Sequence, residues 1–146
     1  RIGLGSRQMV TDLALLGVTP RKTFCTRVDR NLLSPELERH FWRGMIDGDG
    51  CLSWDKTGRG RPVLSLAGTW EVCNSFREWV LEVSGRDHSV RPHSNIFVIK
   101  IGANETYQTV VNLLYGDCSV SLDRKQARFG LYNERLEDMG KIRCEE

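Results

Sequence analysis

Apolar positions change their period several times along the chain, and each change marks an element. Met9, Val10, Leu13 and Leu16 recur at helical spacing between Ser6, a capping residue, and Gly17. Thr19-Pro20-Arg21-Lys22-Thr23 reads as a basic turn, Thr23 to Val28 is compatible with a strand, and Asp29 to Leu33 is a connector. A helix over roughly 35–48 starts at Ser34-Pro35-Glu36: Ser can cap, Pro fits the first helical position, and Glu36 and Glu38 suit the positive end. Gly44 and Gly48 lie four apart on one face of it. Each costs about 1 kcal/mol relative to Ala, which makes sense where another backbone must approach closely. Asp47 and Asp49 follow, and Gly50 is placed to end the helix.

Cys51 to Asp55 alternates as a strand, with Leu52 and Trp54 on one side and Ser53 and Asp55 on the other. A Gly-rich loop carrying Arg59 leads through Arg61 into a second strand, Val63 to Ala67, and so forms a hairpin. Gly68-Thr69 caps a helix to about Ser84, with Val72, Cys73, Phe76, Val80 and Val83 as its buried stripe and Gly85 as its stop. Asp87 to Arg91 and Asn95 to Ile101 make a second strand pair around Pro92-His93-Ser94. Asn104 caps a helix carrying Tyr107, Val110, Val111 and Leu114; Ser121 caps a last one through about Leu136, ahead of a frayed tail.

From residue 34 onward the order is therefore α-β-β-α-β-β-α. That is an α+β domain (34–146) in which two hairpins join into one curved antiparallel sheet with helices on one face. Residues 1–33 form a short helical N-terminal extension. The open face carries mainly polar and basic side chains: Ser53, Asp55, Arg61, Ser65, Ser89, Arg91, His93 and Lys100. A curved two-hairpin ribbon fits the DNA major groove, although an ordinary solvated face gives the same pattern. Val10 to Gly17 followed by Arg21-Lys22 also echoes Val110 to Gly116 followed by Arg124-Lys125. The extension then reads as the tail of a preceding repeat, unless two short amphipathic helices coincide by chance.

Composition narrows this picture only slightly. A 146-residue chain with 40% hydrophobic and 27% charged residues is an ordinary single globular domain with no membrane span. Net charge is only +2, but sixteen of its 21 basic residues are arginine, the side chain suited to phosphate and guanine. Five scattered cysteines without a C-x-x-C pair argue against a zinc site or disulfide framework and for reduced thiols, several of them in the core. Asp47-x-Asp49 does not open a calcium loop, because Cys51, Leu52 and Gly58 stand where an oxygen ligand, Gly and Glu are required.

Trp42-Arg43-Gly44-Met45-Ile46-Asp47-Gly48-Asp49-Gly50 resembles the nine-residue signature of the LAGLIDADG homing endonucleases. Six of nine positions match literally or by close apolar exchange, Gly48 for Ala is usual, and Trp42 and Arg43 depart. Leu16 to Thr23, Gly68 to Glu71 and Leu122 to Lys125 are similar to further landmarks of that family.

The resemblance implies two such helices packed through their glycines, with the last motif Asp of each at the centre of a DNA site. Asp49 is then the metal ligand, with the Gly48 carbonyl beside it, while Asp47 joins Gly44 and Gly48 at the helix–helix interface. Lys125, with Arg124 next, is the implied basic group near the scissile phosphate, and a solvated helix face is the alternative for both. Thr69 is the implied water-positioning side chain. Ser53, Asp55, Arg59, Arg61, Ser65, Ser89, Arg91, His93 and Lys100 are the implied DNA contacts. The implied cofactor is Mg²⁺ or another divalent cation, a hard ion that takes a few carboxylates plus waters and phosphate. The implied activity is sequence-specific double-strand cleavage of DNA in an intracellular, bacterial or phage-type setting. The second helix comes from a homodimer partner or a missing N-terminal repeat. Two other functions stay open: a catalytically inactive DNA-binding regulator or intron-splicing cofactor, and an α+β adaptor with no affinity for DNA.

Overall fold

The computed structural model describes residues 5–15, 26–54, 61–102 and 105–143, with side chains described as far as residue 135. Helix α1 (Arg7–Leu15) is followed by a 3-10 turn (Arg30–Leu32), α2 (Pro35–Asp49), β1 (Gly50–Trp54), β2 (Pro62–Gly68), α3 (Trp70–Ser84), β3 (Val90–His93), β4 (Ile96–Ile101), α4 (Glu105–Tyr115) and α5 (Asp123–Arg143). The expected α-β-β-α-β-β-α order is present, and the protein is an α+β fold. The sheet is antiparallel throughout with strand order β1-β2-β4-β3, so the two hairpins meet at β2 and β4. No helix among the described residues is long and apolar enough to cross a membrane.

Register decides which side chains become core. Leu52, Leu64 and Ile101 stand in one row across β1, β2 and β4, and Leu66 and Ile99 in the next. All five are buried, each burial contributing about 1.5–3 kcal/mol. Helices cover this face with Trp42 and Ile46 of α2, Phe76 and Trp79 of α3, Val110 and Leu114 of α4, and Phe129 of α5. Trp42 departs from the family signature because the site is aromatic: its ring centroid lies 5.0 Å from Phe76 and 6.3 Å from Trp79.

The first-turn acid Glu38 does not face solvent at the helix start; it is only 8% exposed. It accepts hydrogen bonds from Arg30 through both carboxylate oxygens and from Trp42 Nε1 at 3.1 Å. Arg30 also reaches Glu82 of α3 at 2.5 and 2.9 Å, so one guanidinium from the connector fastens α2 to α3. These bonds, Glu82's first, raise the Arg30 pKa above its ordinary value, and the Arg30 bond in turn lowers that of Glu82.

Several local expectations change. Ser34 occupies the N-cap position without a capping bond, and its hydroxyl serves Glu36, whose carboxyl is lowered by its own backbone N–H and then by Ser34. Gly50 does not end α2 in a left-handed conformation: its φ is −91°, and β1 begins at that same residue. Glycine is needed there for space, since a Cβ would stand 2.7 Å from both Cα and O of Ile46. Residues 26–29 form no strand, and Thr26 instead lends its carbonyl to the Thr69 hydroxyl at 2.7 Å.

The second hairpin turns at Ser94-Asn95, with Pro92 and His93 inside β3. Proline is tolerated there because β3 is an edge strand. Ser94 takes the left-handed φ of 52°. The last helix is preceded by Leu122 rather than capped by Ser121, whose hydroxyl goes to Gln126, and it runs through to Arg143 in place of a frayed tail. Of the described cysteines only Cys73 is core; burial pushes its thiol up to about 11. No α1 residue is buried, although Ser6 caps it as expected. Gly17, Asn104 and the 55–60 loop lie outside the described residues.

Two stability measurements check these contacts. Arg30→Met leaves Glu38 with the Trp42 indole but without its cation and is expected to cost about 2–3 kcal/mol in urea unfolding at pH 7. Glu82 adds a pH signature. Its folded pKa is lowered, so its share is present above the ordinary value of 4.5 and is lost as pH falls through the folded value. The gap between Arg30→Met and the parent therefore narrows below about pH 4.5. Gly50→Ala is expected to cost about 1–3 kcal/mol through forced displacement of Ile46.

Candidate functional site

The last turn of α2 leaves backbone carbonyls without helical partners, and the helix has no basic residue in that turn. The donors come from α5. Arg124 Nη2 donates to the Asp47 carbonyl at 3.3 Å, Lys125 Nζ to the Gly50 carbonyl, and Arg128 Nη1 to the Leu52 carbonyl. The two basic residues singled out by sequence are thus gathered at the motif's end. Arg128, a third, shows no signal in the sequence beyond its helical spacing. Lys125 is only 2% exposed, and its ammonium is lowered below the usual lysine range by burial first and Arg124 second.

Asp47 and Asp49 have different surroundings although they are two residues apart. Asp47 Oδ1 accepts from the Tyr115 hydroxyl at 2.8 Å and Oδ2 from the Leu122 backbone N–H at 3.0 Å. The Tyr115 hydroxyl is raised above its ordinary pKa by burial and then by this bond. Asp49 is exposed, and its carboxylate makes no hydrogen bond or ion pair with any described residue. Among the described residues no group of three or more His, Cys, Asp or Glu is placed to hold a metal. One free carboxylate fits a hard divalent cation completed by waters, phosphate and a second acid, and does not fit a closed protein cage.

Gly44 and Gly48 are exposed, and a Cβ built at either meets nothing within 4 Å. Leu37, seven residues before Gly44 on the same side of the helix, is 59% exposed. The strip from Leu37 to Gly48 is therefore a flat face with open space in front. Thr69 is the N-cap of α3, accepting from Val72 N at 3.2 Å and donating to the Thr26 carbonyl, so its hydroxyl proton is already committed.

The sheet's uncovered face follows from the same register. Cys51, Ser65 and Lys100 make one row, and Ala67, Val98 and Arg91 another; Ile96 pairs with His93 and Ser53 with Val63. Arg61 and Ser89, exposed, continue the phase of β2 and β3. Seven of the nine anticipated contact residues thus share this side, while Asp55 and Arg59 lie outside the described residues. The face is less polar than expected, because Val63, Ala67, Ile96 and Val98 alternate onto it. Ser89, Arg91, His93 and Lys100 line a hollow of about 550 Å³. His88 joins them there, a residue the strand assignment passed over, in a loop pinned by Arg77 on Asp87 at 2.5 Å. Guanidinium, imidazole, ammonium and apolar groups on one face have the chemistry to contact base edges and thymine methyls.

The sequence matches no protein-family model and no curated protein. Solved structures do resemble it. The homing endonuclease I-CvuI, in complex with its target in the presence of calcium, superposes with a TM-score of 0.53 at 17% identity, over 74% of this chain and 71% of that one. The LAGLIDADG meganuclease I-AabMI, bound to uncleaved DNA, gives 0.56 at 17% identity over 70% of this chain, which spans only 37% of that protein. The homing endonuclease I-TnaI gives 0.52 at 18% identity over 70% of this chain and 74% of that one. With its helix-covered four-stranded sheet and a glycine-faced helix ending on two acids, the chain has the fold of the LAGLIDADG homing endonucleases.

Proposed function

We propose that the protein is a metal-dependent, sequence-specific DNA endonuclease of the LAGLIDADG type, cutting both strands with two copies of the α2 end. The observation that carries this is the pairing of an open Gly44/Gly48 face with an unengaged Asp49 at its end, in a domain whose four-stranded sheet leaves one face uncovered. A second α2, from a second copy of this chain or from a preceding repeat, supplies the second Asp49. The fold shared with I-CvuI, in complex with its target, and with I-AabMI, bound to uncleaved DNA, supports a duplex substrate.

Asp49, with the Gly48 carbonyl, would hold the divalent cation. When bound, that cation activates water and stabilises the attacking and leaving oxygens of phosphodiester hydrolysis. Asp47 fixes the helix end. Arg124 and Lys125 bring positive charge to the same end, while Thr69 caps the start of α3 with its hydroxyl between Val72 N and the Thr26 carbonyl. Ser53, Arg61, Ser65, Ser89, Arg91, His93 and Lys100 would contact the duplex, joined by Asp55 and Arg59. The internal hydrogen bonds of Lys125 and Thr69 favour a second reading, an inactive DNA-binding regulator or splicing cofactor on the same scaffold.

Cleavage selection from a randomised duplex library with Mg²⁺ separates the two. The nuclease cuts a subset of duplexes, Asp49→Asn lowers the rate by about a thousandfold or more with binding kept, and EDTA abolishes cutting. Binding without cutting on every duplex establishes the regulator. Gly44→Leu is expected to leave the protomer folded, because the space in front of Gly44 is open. Light scattering should then show a dimer for the parent and a monomer for the variant, whereas a monomeric parent removes the homodimer.

A further inference from the structure

Tyr115 belongs to no motif, yet it ends α4 with a fully buried ring and places its hydroxyl on the motif helix. We propose that Tyr115 is a positioning residue: through the Asp47 carboxylate it sets where the Asp49 carboxylate stands. The inference rests on the proposed role of Asp49.

The geometry leaves the last turn of α2 little freedom. The Tyr115 ring packs against Phe129 with centroids 6.2 Å apart, so its hydroxyl cannot swing away. Leu122 N holds the other Asp47 oxygen from the start of α5, and Arg124 holds the Asp47 carbonyl. A carboxylate gripped by two donors from two different elements has one orientation. No loop separates α2 from β1, the Gly50 amide donates to the Ile46 carbonyl, and Gly50 packs so closely on Ile46 that a Cβ would not fit between them. Any rotation of that turn therefore moves Asp49 with it. A metal-bearing acid must be held to within about 0.5 Å by the groups behind it, and Asp49 has no described partner of its own. Its orientation is inherited from Asp47.

Tyr115→Phe removes one oxygen and keeps the ring, and Tyr132→Phe is the matched core control, since that hydroxyl makes no bond to α2. Amide hydrogen exchange by NMR on the free protein is the first readout. The expected result for Tyr115→Phe is Gly50 exchange faster by about tenfold relative to Phe76 and Val80 of α3, with no such local change in Tyr132→Phe. The second readout is kinetics on a duplex the parent cuts: kcat falls about tenfold with KM within about twofold. Exchange that rises equally at Gly50, Phe76 and Val80, or not at all, overturns the proposal and leaves Tyr115 as packing. If the parent cuts no duplex, the nuclease reading falls, and the exchange result still decides whether the Tyr115–Asp47 clasp orders the end of α2.

Discussion

A helix that runs into a strand without a loop creates a polar problem at the junction. Most carbonyls of its last turn have no helical amide to accept from, and buried acceptors left unpaired cost about 1–3 kcal/mol each. At the end of α2 the partners are supplied by α5, some 75 residues further along the chain: Arg124 and Lys125 cover the carbonyls of Asp47 and Gly50, and Arg128 that of Leu52. The negative end of the α2 dipole thus meets the Arg124 guanidinium, and Lys125 and Arg128 hold the first residues of the strand that follows. The rest of the domain is arranged so that this meeting occurs, because β1 starts where α2 ends and α5 packs along β1.

The other end of α2 is held as firmly by a different device. Arg30 joins Glu38 to Glu82, and Trp42 adds its indole N–H to the same carboxylate. With both ends tied and Trp42 and Ile46 sunk in the core, α2 keeps its Gly44/Gly48 face open. Glycines at Gly44 and Gly48 weaken the helix locally, and that weakness is tolerable because the fixing is done elsewhere. The same economy explains the two acids. Asp47 is consumed by the fold, and Asp49 is left out of it.

The fold was legible because its periodicities are strong. Val72, Phe76 and Val80 sit at helical spacing, Leu64 and Leu66 at strand spacing, and the order of elements follows from them. Boundaries were legible where a side chain decides locally, as with Thr69 and Ser6. They were misplaced where a distant group decides. Ser34 and Ser121 look like caps, but Glu36 and Gln126 claim their hydroxyls. Ser94 turns the hairpin although Pro92 looks like the better breaker, because an edge strand has no use for the missing N–H. In the candidate site, the difference between Asp47 and Asp49 was visible only as a resemblance; Tyr115 and Leu122, which enforce it, lie 68 and 75 residues away and carry no local signature. Glu38 likewise looks like a solvated first-turn acid until Arg30 is brought beside it.

That last pair bears on where the folding unit begins. Thr26 receives the hydroxyl that caps α3, and Arg30 closes the joint between α2 and α3. The stretch before Pro35 therefore behaves as a strap rather than as a leader. A cut placed between Arg30 and Pro35 would remove the Thr26 acceptor from α3 and the Arg30 joint between α2 and α3 together. The contacts that hold α2 in place thus begin before its first residue.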